Sequence, residues 1–492
     1  MTDPTAHVDQ SPGSDLRLLR DYGDVPLDEA IDPAGGIRDA YAAVLPHLDG
    51  VDLESTAQRL ELLRREAGVV FIAPVDGEQV AQVFPLDPVP RIIGARTWAH
   101  LAAGAAQRSR ALNALLADVY GDDGREPGTP ARIVADGVIP DSVVRGAPGY
   151  QPAAWGLAPG GQPRAAVVGL DLLTDEQGRW VVLEDNLQVP SGMAYALANR
   201  RTLAAAVPSL ADLPPVHESP ERLGRLLGDT FRSLAPPRAT GRPQVVVLSD
   251  GPDNSAWFEH RTLAAEMGVP IVLPDQLEPD GKGIATRTAD GRLLPVDVLY
   301  RRLGTDELLD GPVADLVTGA VRRGCLTVVN AAGNGVADDK AIYAFVGPMI
   351  RYYLGEEPIL ADVGTWVLAD PGQYDAVRGR LGELVVKPVD GAGGEGVAIG
   401  PEMTAAALDE LEEAVAAAPE RFIAQEVIRF STHPTLIGDA LQPRHVDLRL
   451  FVLHGAEVVV PPVALSRVAL ESDALVVNSS QGGGSKDTWI CG

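Results

Sequence analysis

Carboxylate and amide side chains follow an apolar run in the segment VVLEDNLQVPSG, residues 181–192. Because alternate residues of a strand share a face, Glu184 and Asn186 are expected to point one way and Asp185 the other. Asp171 lies upstream in GLDLL, and the intervening turn TDEQG predicts a β-hairpin with Asp171 on one arm and the Glu184/Asn186 pair on the other. Oxygen ligands of this kind suit a hard cation such as Mg²⁺. The alternative is an acidic turn on a half-buried sheet.

A lysine followed by glycines forms the second informative segment, LGELVVKPVDGAGGEGVAIG. Lys387 ends an apolar strand, Pro388 stiffens its exit, and the glycines that follow are Gly391, Gly393, Gly394 and Gly396. Glycine allows backbone N–H groups to wrap a phosphate, and the lysine adds a point charge. This is not a Walker A loop, because the lysine precedes the glycines and a strand rather than a helix follows them. A glycine-rich hairpin with a solvated lysine is the alternative.

Three further segments near the C-terminus carry polar residues on predicted strands. FIAQEVI carries Gln425 and Glu426, and VVVPPVALSRVAL carries Arg467. RHVDLRLFVLHG alternates, so that Asp447 and Arg449 share a polar face with His445. Such a strand lines either a cleft floor or an exposed sheet face. A second glycine run follows Asn478, in VVNSSQGGGSKDTWI.

The length and composition limit the functions open to this chain. Its 492 residues, 46% of them hydrophobic, can bury a sizeable core divided among two to four domains. A net charge of -27 without a Lys/Arg run argues against nucleic acid as a partner. With only Cys325 and Cys491, neither a disulfide framework nor a cysteine-based zinc site is expected. The polar N-terminus and the lack of an apolar run near the ~20 residues of a membrane span predict a cytoplasmic protein.

Regular elements are expected to position these side chains. Residues 98–120 have helical periodicity, and residues 195–207 form a helix on which Arg200 and Arg201 are expected to face solvent rather than a phosphate. The proline-rich run APPRATGRP marks a domain boundary. Beyond it, VVVLSDGPDNSAWFEHRTLAAEMGVPIVL has the pattern of a parallel βαβ unit, and a small doubly wound domain is expected from about 244 to 335. Asp338 is expected to cap a helix that begins near Lys340.

Taken together, these segments resemble the ATP-grasp ligases. In that family a helix-start lysine, a strand lysine with a glycine loop, a hinge carboxylate, an arginine strand, an asparagine with glycines and finally Asp…Glu-x-Asn follow one another. Here the last group comes first, which resembles the circularly permuted ATP-grasp family. The resemblance covers most of residues 90 to 492 and rests on six segments: LEDNLQVPSG, EHRTLAAEMGVPIV, NAAGNGVADDK, VVKPVDGAGGEGV, RHVDLRLFV and NSSQGGGSKDTW.

The resemblance implies a fold and a division into domains. The fold class is α/β (α+β), a circularly permuted ATP-grasp fold with a Rossmann-like pre-ATP-grasp domain. The expected parts are an N-terminal helical or mixed segment (1–90), a permuted half with the metal ligands (91–235), the Rossmann-like domain (236–335), and the ATP-binding lid with the central sheet (336–492). The resemblance further implies that Glu184 and Asn186 lie across a cleft from Lys387, and that the Asp171 hairpin shares a sheet with RHVDLRLFV and EVVVPPVAL.

The resemblance also implies a role for each candidate site residue. The implied Mg²⁺ ligands are Asp171, Glu184 and Asn186. The implied ATP-binding residues are Lys340, Lys387, the loop glycines Gly391, Gly393, Gly394 and Gly396, then Gln425, Glu426, Val427 and Asn478. The implied catalytic residues are Lys387, Arg467, which would stabilise the transferring phosphoryl group, and Arg449, which would orient a carboxylate. Two departures from the family pattern are Gln188, where an arginine is usual, and Pro461/Pro462, where a glycine pair is usual.

The implied activity is ATP- and Mg²⁺-dependent ligation of a carboxylate to an amine, forming an amide or peptide bond through an acyl-phosphate, with ADP and phosphate as products. A nucleotide-binding scaffold or regulatory subunit of a biosynthetic assembly is one alternative, and a phosphotransferase without ligation is another. Small-molecule or peptide acids and amines are the expected partners, with neither nucleic acid nor membrane. A homo-oligomer or a pathway partner enzyme is compatible with the sequence, which does not name the acid or the amine.

Overall fold

A computed structural model describes most of the chain. The described residues are 16–23, 25–75, 78–158, 160–214, 220–288, 290–389, 391, 396–471 and 483–491. The predicted site residues Gly393, Gly394 and Asn478 lie outside them.

The helices are named here in chain order. They are α1 (Val44–Asp49), α2 (Leu53–Glu66), α3 (Ala95–Val119), α4 (Arg132–Ala135), α5 (Asp141–Arg145), α6 (Met193–Ala206), α7 (Leu223–Ser233), α8 (Trp257–Met267), α9 (Thr305–Leu309), α10 (Ala314–Arg322), α11 (Lys340–Tyr343), α12 (Val346–Met349), α13 (Pro371–Val377) and α14 (Ala405–Ala417). A π-helical turn, Ile350–Leu354, follows α12.

The strands are named in the same way. They are β1 (Val70–Val75), β2 (Glu78–Val83), β3 (Leu86–Ile93), β4 (Val167–Thr174), β5 (Trp180–Asn186), β6 (Val245–Leu248), β7 (Ile271–Val272), β8 (Leu277–Asp280), β9 (Gly283–Arg287), β10 (Leu293–Val296), β11 (Val298–Arg301), β12 (Thr327–Val329), β13 (Ala361–Asp362), β14 (Thr365–Val367), β15 (Leu384–Pro388), β16 (Ala398–Ile399), β17 (Phe422–Glu426), β18 (Thr432–Ile437), β19 (Ala440–His454), β20 (Val458–Val459), β21 (Ala464–Val468) and β22 (Gly484–Ile490).

A mixed central sheet joins strands from both ends of the chain in the order β13-β5-β4-β19-β21-β22-β3, with β18 and β20 also paired to β19. The pairs β13/β5 and β22/β3 are parallel, and the pairs between them are antiparallel. Every residue of β4 and of β21 is buried, as expected for strands covered on both faces. The predicted hairpin is β4–β5, and it shares the sheet with β19 and β21, so this part of the sequence prediction is confirmed.

A parallel sheet of β12-β11-β6-β7 lies in the region 244–335, with α8 connecting β6 to β7. The predicted βαβ unit is therefore confirmed. The exact domain boundaries of the sequence analysis stay predictions. The strand β3, at the end of the first expected segment, pairs with β22 at the other end of the chain.

A small antiparallel sheet, β14-β17-β15-β16, carries Lys387 and Gln425 and is covered by α13 and α14. We call residues 365–426 the small-sheet unit. The chain enters it directly from β13, the edge strand of the central sheet next to β5. Only Val363 and Gly364 separate the central sheet from the small sheet at this crossing.

Helix α3 packs against the central sheet along a buried stripe. Its buried apolar residues are spaced at helical intervals and include Leu101, Ala105, Leu112, Leu116 and Val119. Gly104 lies against Leu360, just before β13, where an added Cβ would overlap the leucine side chain. This close approach brings α3 against the segment that leads into the small-sheet unit.

Two local expectations were wrong. Asp339, not Asp338, caps α11, because its carboxylate accepts hydrogen bonds from the backbone N–H groups of Ala341 and Ile342. Arg200 does not face solvent: its guanidinium pairs at 2.8 Å with the buried carboxylate of Asp487 on β22. Arg201 is half exposed and pairs with Glu266.

Candidate active site

The β4–β5 hairpin carries the three predicted metal ligands. Asp171 is paired with Glu184 and Gly169 with Asn186, so these side chains lie on one face of the sheet. Asp185 points to the opposite face, as predicted, and binds Arg108 of α3. A β-bulge between Asp171 and Leu172 interrupts the register next to the first acid.

Two buried acids and two arginines form what we call the arginine cluster: Asp171, Asp447, Arg449 and Arg467. Arg449 donates from Nε and Nη2 to the two oxygens of Asp171, both at 2.6 Å. Arg467 donates from Nε to Asp447 at 2.9 Å and from Nη2 to Asp171 at 3.0 Å. These contacts follow from strand register, because β19 places Arg449 beside Asp171 and Asp447 beside Arg467.

The two acids of the arginine cluster are closed to solvent, and the charges of the cluster are balanced. Asp171 is 2% exposed and Asp447 1% exposed. Burial alone would raise the pKa of Asp171, but the guanidinium groups of Arg449 and Arg467 lower it to about 2. Since its oxygens already accept three charge-assisted hydrogen bonds, Asp171 is an arginine partner in this structure. Its predicted role as a metal ligand stays a prediction.

Two lysine side chains lie near the Glu184 end of the same sheet face. Lys340, at the start of α11, lies 3.8 Å from a carboxylate oxygen of Glu184 and also donates to the carbonyl of Gly391. Burial lowers the pKa of Lys387 to about 8, the Glu184 carboxylate opposes that shift, and the Lys340 ammonium adds to it. Lys387 therefore lies within electrostatic reach of both. We call Lys340, Lys387 and Glu184 the lysine cluster.

The lysine cluster fits an anion bound with a metal. It contains two cations and one carboxylate, so an added phosphate would offset unbalanced positive charge.

Glu184 has a side chain that is 34% exposed, and Lys340 is its only salt-bridge partner among the described residues. The amide nitrogen of Asn186 is buried without a hydrogen bond in the described part of the chain. Carboxylate and amide oxygens are usual Mg²⁺ ligands, so these residues would hold the ion. The described residues contain no group of three or more His, Cys, Asp and Glu side chains arranged for a metal.

The small-sheet unit supplies the remaining predicted nucleotide residues. Gln425 is buried and donates to the hydroxyl of Thr365 at 2.9 Å, while its side-chain oxygen has no partner in the described structure. Glu426 is exposed at the end of β17, and Val427 follows it half-buried. Lys387 lies on β15, which pairs directly with β17. The unit thus brings a lysine and an unsatisfied amide to neighbouring strands.

Asp338 was not among the predicted site residues. Its carboxylate accepts hydrogen bonds from the backbone N–H groups of Leu187 at 2.6 Å and Gln188 at 3.2 Å, directly after Asn186. Burial raises the pKa of Asp338 to about 7, although these two hydrogen bonds oppose the shift. The acid pair in VADDK was a signal for this contact, but only the fold shows that each acid serves a different segment.

The two departures from the family pattern lie in different places. Gln188 accepts a 3.0 Å hydrogen bond from Thr305 with its side chain, and its carbonyl accepts one from Arg301 at 3.3 Å. The glutamine therefore joins the strand exit to the parallel-sheet region. Pro461 and Pro462 lie between β20 and β21, and nothing in the structure explains their choice over glycine.

With this geometry in hand, comparison with known proteins identifies the family. The model of the circularly permuted ATP-grasp type 2 family matches residues 90–469. The chain belongs to this family. The match includes both arms of the hairpin, both lysines, and Arg449 and Arg467 of the arginine cluster.

Relatives of this ATP-grasp chain occur in several bacteria. It is 46% identical over 486 residues to a Frankia alni protein named "Putative glutamate--cysteine ligase 2-3", covering 96% of this chain and 54% of the relative. It is 43% identical to an uncharacterised protein of Synechocystis (86% and 87% covered) and 40% identical to one of Mycobacterium tuberculosis (94% and 84% covered). The chain spans about half the length of the Frankia relatives.

A solved structure shares the fold. A glutathione synthetase-like effector from Globodera pallida, in its apo form, superposes with a TM-score of 0.56 at 12% identity, covering 89% of this chain and 98% of that one. This likeness concerns architecture alone. In the part of our chain that the structure describes, no helix has both the length and the apolar character needed to cross a bilayer.

Proposed function

We propose that this chain is an ATP-dependent carboxylate–amine ligase that works through an acyl-phosphate. The observation that carries the proposal is the meeting of the two clusters on one sheet face: Glu184 of the lysine cluster is paired with Asp171 of the arginine cluster. A site that accepts nucleotide phosphates thus adjoins a site rich in fixed cations. Membership of the ATP-grasp family supports the same reading.

The two clusters have separate proposed roles. Lys340 and Lys387 bind phosphate oxygens of ATP, and Gln425 with the strand end at Glu426 and Val427 binds the adenine and ribose. Glu184 and Asn186 hold Mg²⁺, which supplies charge neutralisation at the phosphates when bound. Arg467 faces the transferred phosphoryl group, and Arg449 orients the acid.

The partly exposed guanidinium groups of Arg449 and Arg467 suit the binding of the acid and of the transferred phosphoryl group. The Nη1 atom of Arg467 has no hydrogen bond to a described residue, whereas its other donors are held by Asp171 and Asp447. Because two acids fix the guanidinium, its remaining N–H groups are directed before any ligand arrives. Preorganised donors of this kind stabilise developing charge without reorganisation.

The proposed reaction has two displacements. A carboxylate oxygen of the acid attacks the γ-phosphorus, and the bond to the ADP oxygen breaks. The amine nitrogen then attacks the acyl carbon, the bond to the phosphate oxygen breaks, and the ammonium proton leaves to solvent. The described site needs no nucleophilic side chain for either step, since positioning and charge stabilisation carry the catalysis.

The test is product analysis with ATP and Mg²⁺ over panels of acids and amines. Because a relative carries a glutamate–cysteine ligase name, glutamate with cysteine is the first pair to try. We expect ADP and phosphate in amounts equal to the amide formed. AMP and pyrophosphate, or no turnover with any pair, would contradict the proposal.

The amine dependence separates the two other hypotheses. A phosphotransferase would form its phosphorylated product at the same rate with and without amine. A scaffold would bind ATP without consuming it, and Glu184→Gln would leave its cellular function intact. For a ligase, Glu184→Gln should abolish most turnover while the fold persists, with Glu61→Gln on the exposed face of α2 as the matched control.

A further inference from the structure

Arg108 lies behind the site, on the face of β5 opposite the two clusters. It is 1% exposed, in the middle of α3. Its Nε and Nη2 atoms donate to the two oxygens of Asp185 at 2.6 and 2.7 Å. Asp185 stands between the proposed metal ligands Glu184 and Asn186, so this bidentate pair fixes the strand segment that carries them.

The third guanidinium nitrogen of Arg108 reaches the crossing to the small-sheet unit. Nη1 donates to Asp362 on β13 at 2.5 Å. Asp362 has a side chain that is 25% exposed, and two residues separate it from β14. One guanidinium therefore holds both the metal-binding strand and the segment from which the small-sheet unit starts.

Helix α11, which begins at Lys340, meets the same guanidinium. The ring of Tyr343, at the end of α11, lies 5.3 Å from the Arg108 guanidinium carbon. The Tyr343 hydroxyl donates to the carbonyl of Val182 on β5 and accepts from the N–H of Val363, which follows β13. Lys340 begins this helix one turn earlier. Arg108 and Tyr343 thus join β5, α11 and the segment that leads into the small-sheet unit.

The neighbouring residues of α3 strengthen the connection. Gln107 donates to the carbonyl of Glu357 and accepts from the N–H of Ile359, both at 2.9 Å. Gly104 admits Leu360 against the helix. Burial opposes the charge of Arg108, yet Asp185 and Asp362 raise its pKa above the ordinary value, so it stays charged at any working pH.

We propose that Arg108 is a positioning residue for nucleotide binding, which sets the small-sheet unit relative to the metal-binding strand by joining Asp362 to Asp185. The inference rests on the proposed ATP site. Its consequence is that nucleotide affinity depends on a contact at the back of the sheet that touches no ligand. Loss of outer contacts of this kind costs about tenfold or more in affinity at comparable sites.

The sharpest variant is Asp362→Asn, because it weakens the contact between Arg108 and residue 362 and leaves the buried Arg108–Asp185 pair intact. We expect the dissociation constant for ADP with Mg²⁺, measured by calorimetry, to rise about tenfold. Amide exchange in residues 361–367 should become faster, with exchange in β4 unchanged. The melting temperature should fall by only a few degrees, as for loss of a partly exposed pair.

Arg110→Met is the matched control on the same helix. Arg110 is 43% exposed and pairs at 3.2 Å with Glu356, so nucleotide affinity and amide exchange at 361–367 should both match the wild type. Arg108→Met is the stronger variant, with an unpaired Asp185; if it fails to fold, Asp362→Asn still decides the matter.

Wild-type affinity and exchange in Asp362→Asn would overturn the inference. If the wild-type protein itself binds no ADP, the proposed function fails instead. Amide exchange then still tests the positioning role, because faster exchange at 361–367 in Asp362→Asn supports it and unchanged exchange overturns it.

Discussion

The arginine cluster and the lysine cluster share one sheet face but treat charge in opposite ways. In the arginine cluster, two buried acids hold two guanidinium groups in bidentate geometry. In the lysine cluster, the partly exposed Glu184 lies 3.8 Å from the Lys340 ammonium and acts electrostatically on Lys387. The first is organised before ligand binding, whereas the second has positive charge that only a ligand balances.

The chemistry of the two cation types explains the division. Arginine has a planar fork that fits carboxylates and does not lose its proton, whereas lysine is a compact charge whose pKa responds to burial. The chain has four lysines among 41 lysines and arginines: Lys282, Lys340, Lys387 and Lys486. Two of the four meet at the candidate site. Lysine is thus concentrated where an anion with several oxygens would bind.

Removal of the shared acid should have the largest effect. Asp171→Asn leaves Arg449 and Arg467 with one buried acid in place of two. We expect the free energy of unfolding to fall by about 3–5 kcal/mol, the usual cost of breaking a buried ion pair. Urea unfolding measures it. A loss below about 1 kcal/mol would show that the arginine cluster is not organised by Asp171.

Removal of a lysine should instead cost activity and spare the fold. Lys387→Met deletes a charge whose burial is unfavourable, so the unfolding free energy should stay within about 1 kcal/mol of the wild type or rise. We expect kcat/KM for ATP to fall about 10²–10³-fold, as for loss of a preorganised charge at a phosphoryl group. Steady-state kinetics measure this effect.

The matched control for that variant is Lys282→Met, since Lys282 is exposed in the turn between β8 and β9. Lys282→Met should leave both the unfolding free energy and kcat/KM for ATP unchanged. Equal losses in the two lysine variants would remove the distinction between the clusters.

A change of pH should affect ligand binding at the lysine cluster, because Lys387 titrates and the arginines keep their charge. The pKa of Lys387 is about 8 in the folded protein and 10.5 ordinarily. Above pH 8 the folded protein loses this proton, so ADP affinity should fall with rising pH, by up to about tenfold per unit. Between pH 8 and 10.5 the unfolded chain binds more protons, so this group's contribution to stability rises with pH. Calorimetric titrations from pH 7 to 9.5 measure the affinity.

Lys387→Arg provides the control for pH, because a guanidinium keeps its charge throughout this range. The fall in affinity above pH 8 should disappear in this variant. A wild-type affinity that stays constant to pH 9.5 would contradict the assigned role of Lys387.

The smallest effect should come from an ion pair outside both clusters. Arg65 pairs with Glu61 on the solvent face of α2, where the side chains are 66% and 60% exposed. Arg65→Ala should change the unfolding free energy by no more than about 0.5 kcal/mol, because water already screens such pairs. The same urea experiment as for Asp171→Asn gives the value and sets the scale for the comparison. A loss of unfolding free energy near that of Asp171→Asn would mean that burial does not distinguish the Arg65–Glu61 pair from the arginine cluster.

Much of the site could be predicted from local sequence. The alternation in LEDN separated Glu184 and Asn186 from Asp185, and the structure has the same two faces because strand geometry is a local property. The hairpin and the parallel βαβ unit were predictable for the same reason. The prediction failed by one residue at the helix start, where Asp339 and not Asp338 is the cap. Two adjacent acids look alike in sequence, and their surroundings decide which one faces the helix.

The candidate site residues and their order were predictable from the sequence alone, because strand periodicity, glycine loops and the rearranged family order are all properties of the chain read along its length. How the charges are shared depends on the assembled fold. Asp171 meets Arg449 across 278 residues and Arg108 joins Asp185 to Asp362 through strand register and helix packing. Partners so distant are chosen by the registry of the assembled sheet, which no local pattern specifies.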